Sequence, residues 1–215
     1  MRGVQTISRE VSATEVWRMT PQRLHASPWG SSNCSWEVAR AYLLGALGDA
    51  TINRLHRTTR FSQKERAWLE QLQQLLAMRG FRSWIYREGK DRHLYVLETS
   101  AQWLKDDRRS THFETDDEIA AYVRGYFDAE GGIPWRMDAP LYVQFVQKNA
   151  ESLTRVKDML ERLEIRCGVL HNPSRRVDPD YWRFFVRRSS HQQFIAVIGS
   201  WHPRKRLLLQ QRVKI

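Results

Sequence analysis

Two stretches of this chain end in a carboxylate at matching places, and those carboxylates are the residues best suited to chemistry. One stretch runs Ala41-Tyr-Leu-Leu-Gly-Ala-Leu-Gly-Asp49-Ala-Thr-Ile52, the other Ala121-Tyr-Val-Arg-Gly-Tyr-Phe-Asp-Ala-Glu130-Gly-Gly-Ile133. Each reads as the end of a helix with its acid in the last turn, where the partial negative charge of the helix C-terminus opposes an anion. Small residues (Gly45, Ala46 and Gly48 in one, Gly125 and Ala129 in the other) let two helix backbones approach closely. Two acids brought side by side in this way also repel each other. A divalent cation between them resolves both problems. Oxygen-only ligands select a hard ion, so Mg2+ is expected, with Mn2+ or Ca2+ able to substitute in binding. Such an ion activates water for hydrolysis. Taken singly, each acid also fits an ordinary helix terminus; the case rests on their recurrence. Asp128 points away from Glu130 by helical phase and corresponds to the apolar Leu47, so it is read as structural.

The recurrence extends along the chain. Aligning Asp49 with Glu130 aligns Ile52 with Ile133, and Phe61-Ser-Gln63-Lys64 then matches Phe145-Val-Gln147-Lys148 after three extra residues that a hairpin turn can absorb. An amphipathic helix follows each Phe-x-Gln-Lys, with Trp68, Leu69, Leu72, Leu75 and Leu76 inward in the first copy. In the second copy Leu153, Val156, Met159, Leu160 and Leu163 face inward. The pattern predicts an α+β fold of two pseudo-symmetric αββαββα repeats. Repeat one spans 35–104, with helices at 35–49 and 65–79 and strands near 51–55, 58–62, 81–87 and 92–98. Repeat two spans 115–215 with a C-terminal tail; its helices fall at 116–130, 150–164 and 190–200, and its strands near 132–136, 141–147, 165–171 and 181–187. Ser62-x-x-Glu65 and Thr115-x-x-Glu118 read as capping boxes, and Ser35 as an N-cap with Glu37 in the first turn. Residues 105–114 form the linker, and 1–34 an N-terminal extension that matches neither repeat.

Segment 121–133 resembles the LAGLIDADG motif, through Gly125 and Asp128-Ala129-Glu130-Gly131, and segment 41–52 resembles a diverged second copy. In that copy Leu44 falls opposite Gly125, Gly45 is displaced by one, and Ala50 replaces the closing glycine; the departure bears on helix packing, since the acid remains. The resemblance covers roughly residues 35–200. It implies a single-chain homing endonuclease with two antiparallel sheets forming a saddle over DNA. It also implies phosphodiester hydrolysis with metal held by Asp49 and Glu130 and by the backbone at Ala50 and Gly131. Gln63 and Gln147 correspond to a polar position that orders active-site water, although helix-start glutamines facing solvent fit the sequence equally. The family's basic residue near the end of each last strand is matched by Arg187 in repeat two, whereas repeat one has Glu98-Thr99 there and only Lys90 nearby. Two motifs in one chain imply a monomer acting on a long asymmetric target.

Charge agrees with a polyanionic partner. Thirty-five Lys and Arg against twenty-four Asp and Glu leave a net charge of +11, which points to a nucleic-acid partner, with a merely soluble basic protein or a membrane-surface binder as the alternatives; the resemblance implies that the partner is double-stranded DNA. Candidate DNA contacts are Arg54, His56 and Arg60 on the first hairpin, Lys90, Tyr142 and Gln144 on a strand of repeat two, Arg183, and the turn arginines Arg175 and Arg176. Trp68 and Trp103 read as core; Trp84, Trp135 and Trp182 lie on strands, where core packing is favoured over base stacking. Arg204-Lys-Arg206 reads either as a basic helix start or as a solvated tail. The two unclustered cysteines, Cys34 and Cys167, and the lack of an apolar leader or span suggest an intracellular setting. The competing readings are a LAGLIDADG nucleic-acid-binding protein that no longer cuts (an RNA-splicing maturase or a transcription regulator) and an unrelated basic RNA-binding protein. No splicing nucleophile opens the chain and no His-Asn pair closes it, which disfavours an intein.

Overall fold

Helix α1 (Trp36–Gly45) starts where the Ser35 side chain accepts the Val38 N–H, and helix α4 (Asp116–Glu130) starts where Thr115 accepts that of Glu118. These two helices make the central contact of the structure, a computed structural model that describes residues 34–89, 92–106 and 112–213. The described residues belong to one compact unit, Cys34–Ile215. Residues 1–33 of the expected extension at 1–34, the middle of the linker (107–111) and Lys90 lie outside the described residues.

After α1 and a 3-10 turn (Ala46–Asp49), repeat one continues as β1 (Ala50–Asn53), β2 (Thr58–Gln63), α2 (Arg66–Ala77), β3 (Ser83–Arg87), β4 (Tyr95–Thr99) and the short α3 (Trp103–Asp106). Its antiparallel sheet has the order β1-β2-β4-β3. Trp68, Leu69, Leu72, Leu75 and Leu76 of α2 are fully buried, packed with Phe61 and Leu97 from the inner face of the sheet. The expected capping box at Ser62 does not form. Ser62 is still in β2, paired with Val96, and Glu65 is the N-cap without a side-chain bond.

Repeat two adds β5 (Gly131–Gly132), β6 (Gln144–Gln147), α5 (Ala150–Arg162), β7 (Trp182–Phe185), α6 (His191–Val197) and α7 (Pro203–Val213) around α4. Asn149 caps α5 by accepting the Ser152 N–H. The sheet order is β5-β6-β7. Its fourth strand, expected at 165–171, is reduced to isolated bridges, Cys167 with Val186 and His171 with Arg183. The strand expected at 132–136 stops after Gly132, because Pro134 has no N–H to offer a ladder. The C-terminal stretch is a helix rather than a solvated tail. Pro203 fits its first position, where a missing N–H costs nothing.

Gly45 and Gly125 set how closely α1 and α4 approach. A Cβ at Gly45 would lie 2.0 Å from the Tyr122 carbonyl oxygen, and one at Gly125 would lie 2.1 Å from that of Tyr42. The contact is reciprocal, so the structural counterpart of Gly125 is Gly45, not Leu44 as the alignment on the acids places it. From these glycines the acids lie four residues on in one copy and five in the other. The difference is absorbed by helix type: the Ala50 N–H closes on Leu47, whereas the Gly131 N–H closes on Phe127. Four 3-10 steps rise about 8 Å and turn about 480°, and five α steps rise about 7.5 Å and turn about 500°. A one-residue deletion thus leaves both acids at nearly the same depth and phase.

Alanine is intrinsically the better helix former by about 1 kcal/mol, yet Gly125→Ala drives a methyl into backbone. Urea unfolding should show a loss of at least about 3 kcal/mol. A neutral or stabilising result would refute the close approach.

Candidate metal centre and nucleic-acid face

The two helix tips present Asp49 and Glu130 to one another. Glu130 lies over the other repeat's tip, where a Cβ on Gly48 would fall 2.6 Å from its Cγ and 2.9 Å from its Oε1. Each acid is held by the glutamine of its own repeat: Gln63 Nε2 donates to Asp49 Oδ2 at 2.5 Å, and Gln147 Nε2 donates to Glu130 Oε1 at 2.8 Å. Both glutamines therefore face the acids rather than solvent. They arrive at the ends of β2 and β6, strands that pair with the segment following each acid.

Both carboxyls are held above the usual range. Burial raises Asp49 against the charge of Lys205 and the Gln63 bond. Burial also raises Glu130, reinforced by the negative charge of Asp49 and opposed by the Gln147 bond and Lys205. Two partly desolvated, mutually repelling carboxylates are a cation-seeking arrangement. Among the described residues no group of three or more His, Cys, Asp or Glu could cage a metal. The donors therefore fit a hard ion that keeps water and phosphate oxygens as its other ligands, which is the habit of Mg2+.

Lys205, on α7, was not singled out from the sequence. Its ammonium donates to the carbonyls of Phe127 (2.7 Å), Asp128 (2.9 Å) and Gly131 (2.7 Å), and its charge acts on both acids. Burial lowers its pKa to about 8 against the pull of Asp128, Asp49 and Glu130. Gly131, expected to offer its backbone to metal, thus has its carbonyl engaged by this ammonium. Ala50 pairs with Phe61 at the start of β1. Arg187, the expected basic residue, instead donates its Nε to the Cys167 carbonyl at 3.1 Å. The only sequence signal for Lys205 was the basic run at 204–206, in which phase along α7 sets this residue apart.

Asp128 has the structural place expected of it. Its carboxylate accepts from the Tyr42 hydroxyl (2.6 Å), the Ser200 hydroxyl, and the N–H groups of Trp201 (2.9 Å) and His202 (3.0 Å).

The candidate DNA contacts divide between the two sheets. In repeat two, Val143, Phe145 and Phe184 face the core, and Tyr142, Gln144, Arg183 and Phe185 share the opposite face. Gln144 sits across from Phe185, and the Arg183 guanidinium lies 5.3 Å from the Phe185 ring centroid. Arg175 and Arg176 are exposed in the turn before β7, as are Arg54 and His56 in the first hairpin. Arg60 is different. It donates to Tyr86 Oη (3.0 Å) and Glu88 Oε1 (2.6 Å), and Tyr86 donates in turn to the buried Glu98. Trp84 and Trp135 are 44% and 69% exposed, so the core reading fails for both. Trp68 is fully buried, and Trp103 packs edge-on against Trp36.

Residues 117–199 match the LAGLIDADG-like domain family. Among solved structures, the chain is similar to I-DmoI in complex with DNA and Mn, at 20% identity and a TM-score of 0.61, covering 77% of this chain and 98% of that one. It is similar to I-DmoI in complex with DNA and Ca, at 20% identity and a TM-score of 0.63, covering 82% and 98%. Full-length DUF199/WhiA from Thermatoga maritima matches at 14% identity and a TM-score of 0.63, covering 90% of this chain and 66% of that one. At these identities the likeness establishes the fold. No curated protein matches the sequence.

The raised pKa values make the charged acids a cost to the folded state. That cost is absent below the ordinary carboxylate range near about pH 4, and it grows as pH rises through the folded values. Glu130→Gln should therefore raise the Tm of the metal-free protein at about pH 7, with the gain fading toward about pH 4. A variant no more stable than the parent at neutral pH would contradict the assignment.

Proposed function

We propose that this chain, which has the LAGLIDADG fold and carries a LAGLIDADG-like domain at residues 117–199, is a site-specific endonuclease of double-stranded DNA that uses a divalent metal. The observation that supports this most is the paired carboxylates, one from each repeat, each oriented by a glutamine at the equivalent place. A net charge of +11 and relatives crystallised with DNA and with Mn or Ca point the same way.

Asp49 and Glu130 would hold the ion, with Mg2+ expected and Mn2+ or Ca2+ able to take its place in binding. Bound there, the ion supplies a Lewis acid for a phosphodiester oxygen and lowers the pKa of a coordinated water. The chain's own residues do the rest. Gln63 and Gln147 fix the acids' orientation through their Nε2 donors, and the Gln147 amide is itself held because its Oε1 accepts the Lys148 N–H at 2.7 Å. Tyr142, Gln144 and Arg183 face the groove from repeat two, with Arg54, His56, Arg175 and Arg176 at the hairpin tips toward phosphates. Two motifs in one chain fit a monomer cutting an asymmetric site inside the cell.

A second reading, a binding protein that no longer cuts, has one observation in its favour: Lys205 engages the Gly131 carbonyl beside the acids. Incubation with a randomised duplex library and Mg2+, followed by sequencing of the ends, separates the two. The nuclease reading expects recurrent cuts that Asp49→Ala or Glu130→Ala abolishes without loss of binding. Duplex binding without any cut ends selects the second reading.

Gln63→Ala and Gln147→Ala leave both acids in place. Each should slow cleavage about 10- to 100-fold, measured as single-turnover rate on a selected target; an unchanged rate would remove the glutamines from the site. Affinity for that target should fall on the order of 10^3-fold between about 50 and 200 mM salt, and a flat dependence in a filter-binding titration would count against DNA as the partner.

A further inference from the structure

The outer faces of the two sheets differ at one register position. In repeat one, Phe61 pairs with Leu97 toward the core, and the neighbouring pair on the outer face is Arg60 with Glu98. In repeat two, Phe145 pairs with Phe184 toward the core, and the neighbouring outer pair is Gln144 with Phe185. Phe185 therefore occupies the place that Glu98 holds in the other copy. The fold itself does not require an aromatic ring there. In repeat one the place is closed, with Glu98 buried and accepting from the hydroxyls of Thr58 and Tyr86. In repeat two it stays half-exposed.

Phe185 is held in place rather than covered. The Tyr142 ring meets it edge-on at 6.2 Å between centroids, and the His171 ring lies within 27° of parallel at 6.4 Å. Arg183 sets its guanidinium 5.3 Å from the Phe185 centroid and donates its Nε to His171 at 3.4 Å. A phenyl ring has no hydrogen-bonding group to offer a phosphate or a polar base edge. Among the groups that base pairs present in the major groove, the one apolar group is the 5-methyl of thymine. We propose that Phe185 is a specificity-determining residue that packs against the 5-methyl group of a pyrimidine, thymine or 5-methylcytosine, in the major groove. The inference rests on the duplex-DNA reading and deepens it, and it requires binding but not cutting. It also separates DNA from RNA, because uracil lacks the methyl and the major groove of an RNA helix is too narrow for side chains to read.

Replacing each thymine of a selected target in turn by deoxyuridine removes one methyl and keeps every hydrogen bond of the pair. Binding, measured without metal so that no cutting intervenes, should weaken about fourfold at one or two neighbouring positions. Those positions should fall in one half of the site, since repeat one carries Glu98 at the equivalent place. At the same position a 5-methylcytosine pair should outbind a cytosine pair by a similar factor, which separates the methyl from the rest of thymine. Phe185→Ala should bind both members of each comparison equally. Should that variant fail to fold, Phe185→Gln makes the same comparison with a polar side chain. A parent protein indifferent to the methyl at every position, or a dependence that persists unchanged in the variant, overturns the proposal. A protein that binds no duplex fails the DNA reading and this inference together; one that binds duplex without methyl dependence fails this inference alone.

Discussion

The structure depends on one contact, the mutual approach of two helix backbones at Gly45 and Gly125. Neither position has room for a methyl group, because each faces a partner carbonyl. That proximity permits Cα–H···O contacts between the helices and, more importantly, determines where the helices end. Two tips are brought to one place, and the acids they carry are brought with them. Burial of large side chains on both flanks (Trp68 and Tyr42 on one side, Phe127 and Phe145 on the other) stabilises the approach without determining it.

Close approach of like charges then requires compensation, and the surrounding residues supply it in layers. The glutamines at the ends of β2 and β6 donate to the acids. Asp128, a carboxylate placed within the same helix, is turned inward and satisfied by the loop before α7, where it anchors the segment that brings Lys205 into position. His202 in that loop is held neutral, its pKa pushed down to about 3 by burial and by the neighbouring charges of Lys205 and Arg204. An imidazole that is neutral near pH 7 adds no further charge there. The pseudo-symmetry is therefore close at the helices and glutamines and broken at the cation. The sheets are unequal too. Repeat one keeps four strands and an internal network of Arg60, Tyr86, Glu88 and Glu98, and repeat two has three strands with bridges and an aromatic, arginine-bearing outer face.

Much of this was legible in the sequence because it depends on periodicity and repetition. The helices over 36–45, 116–130 and 150–162, their caps at Ser35 and Thr115, and the inward leucines of α2 follow from local rules that tertiary contacts reinforce. The paired acids and glutamines were legible because they recur. What was not legible came from long-range or compensating effects. The one-residue slip between Gly45 and Asp49 is hidden by a change of helix type that no propensity signals. Ser62 fails as a cap because strand pairing with Val96 claims it first. Lys205 looks like any basic residue near a chain end until α7 docks, since nothing local distinguishes an ammonium bound for three carbonyls from one bound for water. For Trp84 and Trp135 hydrophobicity favours core packing over base stacking, but both side chains are exposed.

The most direct test of the shared centre replaces the expected ion with Fe2+ and generates hydroxyl radicals with ascorbate and peroxide, so that the polypeptide is cut next to wherever the ion binds. The account predicts scission at both motif tips, beside Asp49 and beside Glu130, with Asp49→Asn or Glu130→Gln alone weakening both cuts because one centre serves both. Cuts confined to a single tip, or falling away from either, would contradict it.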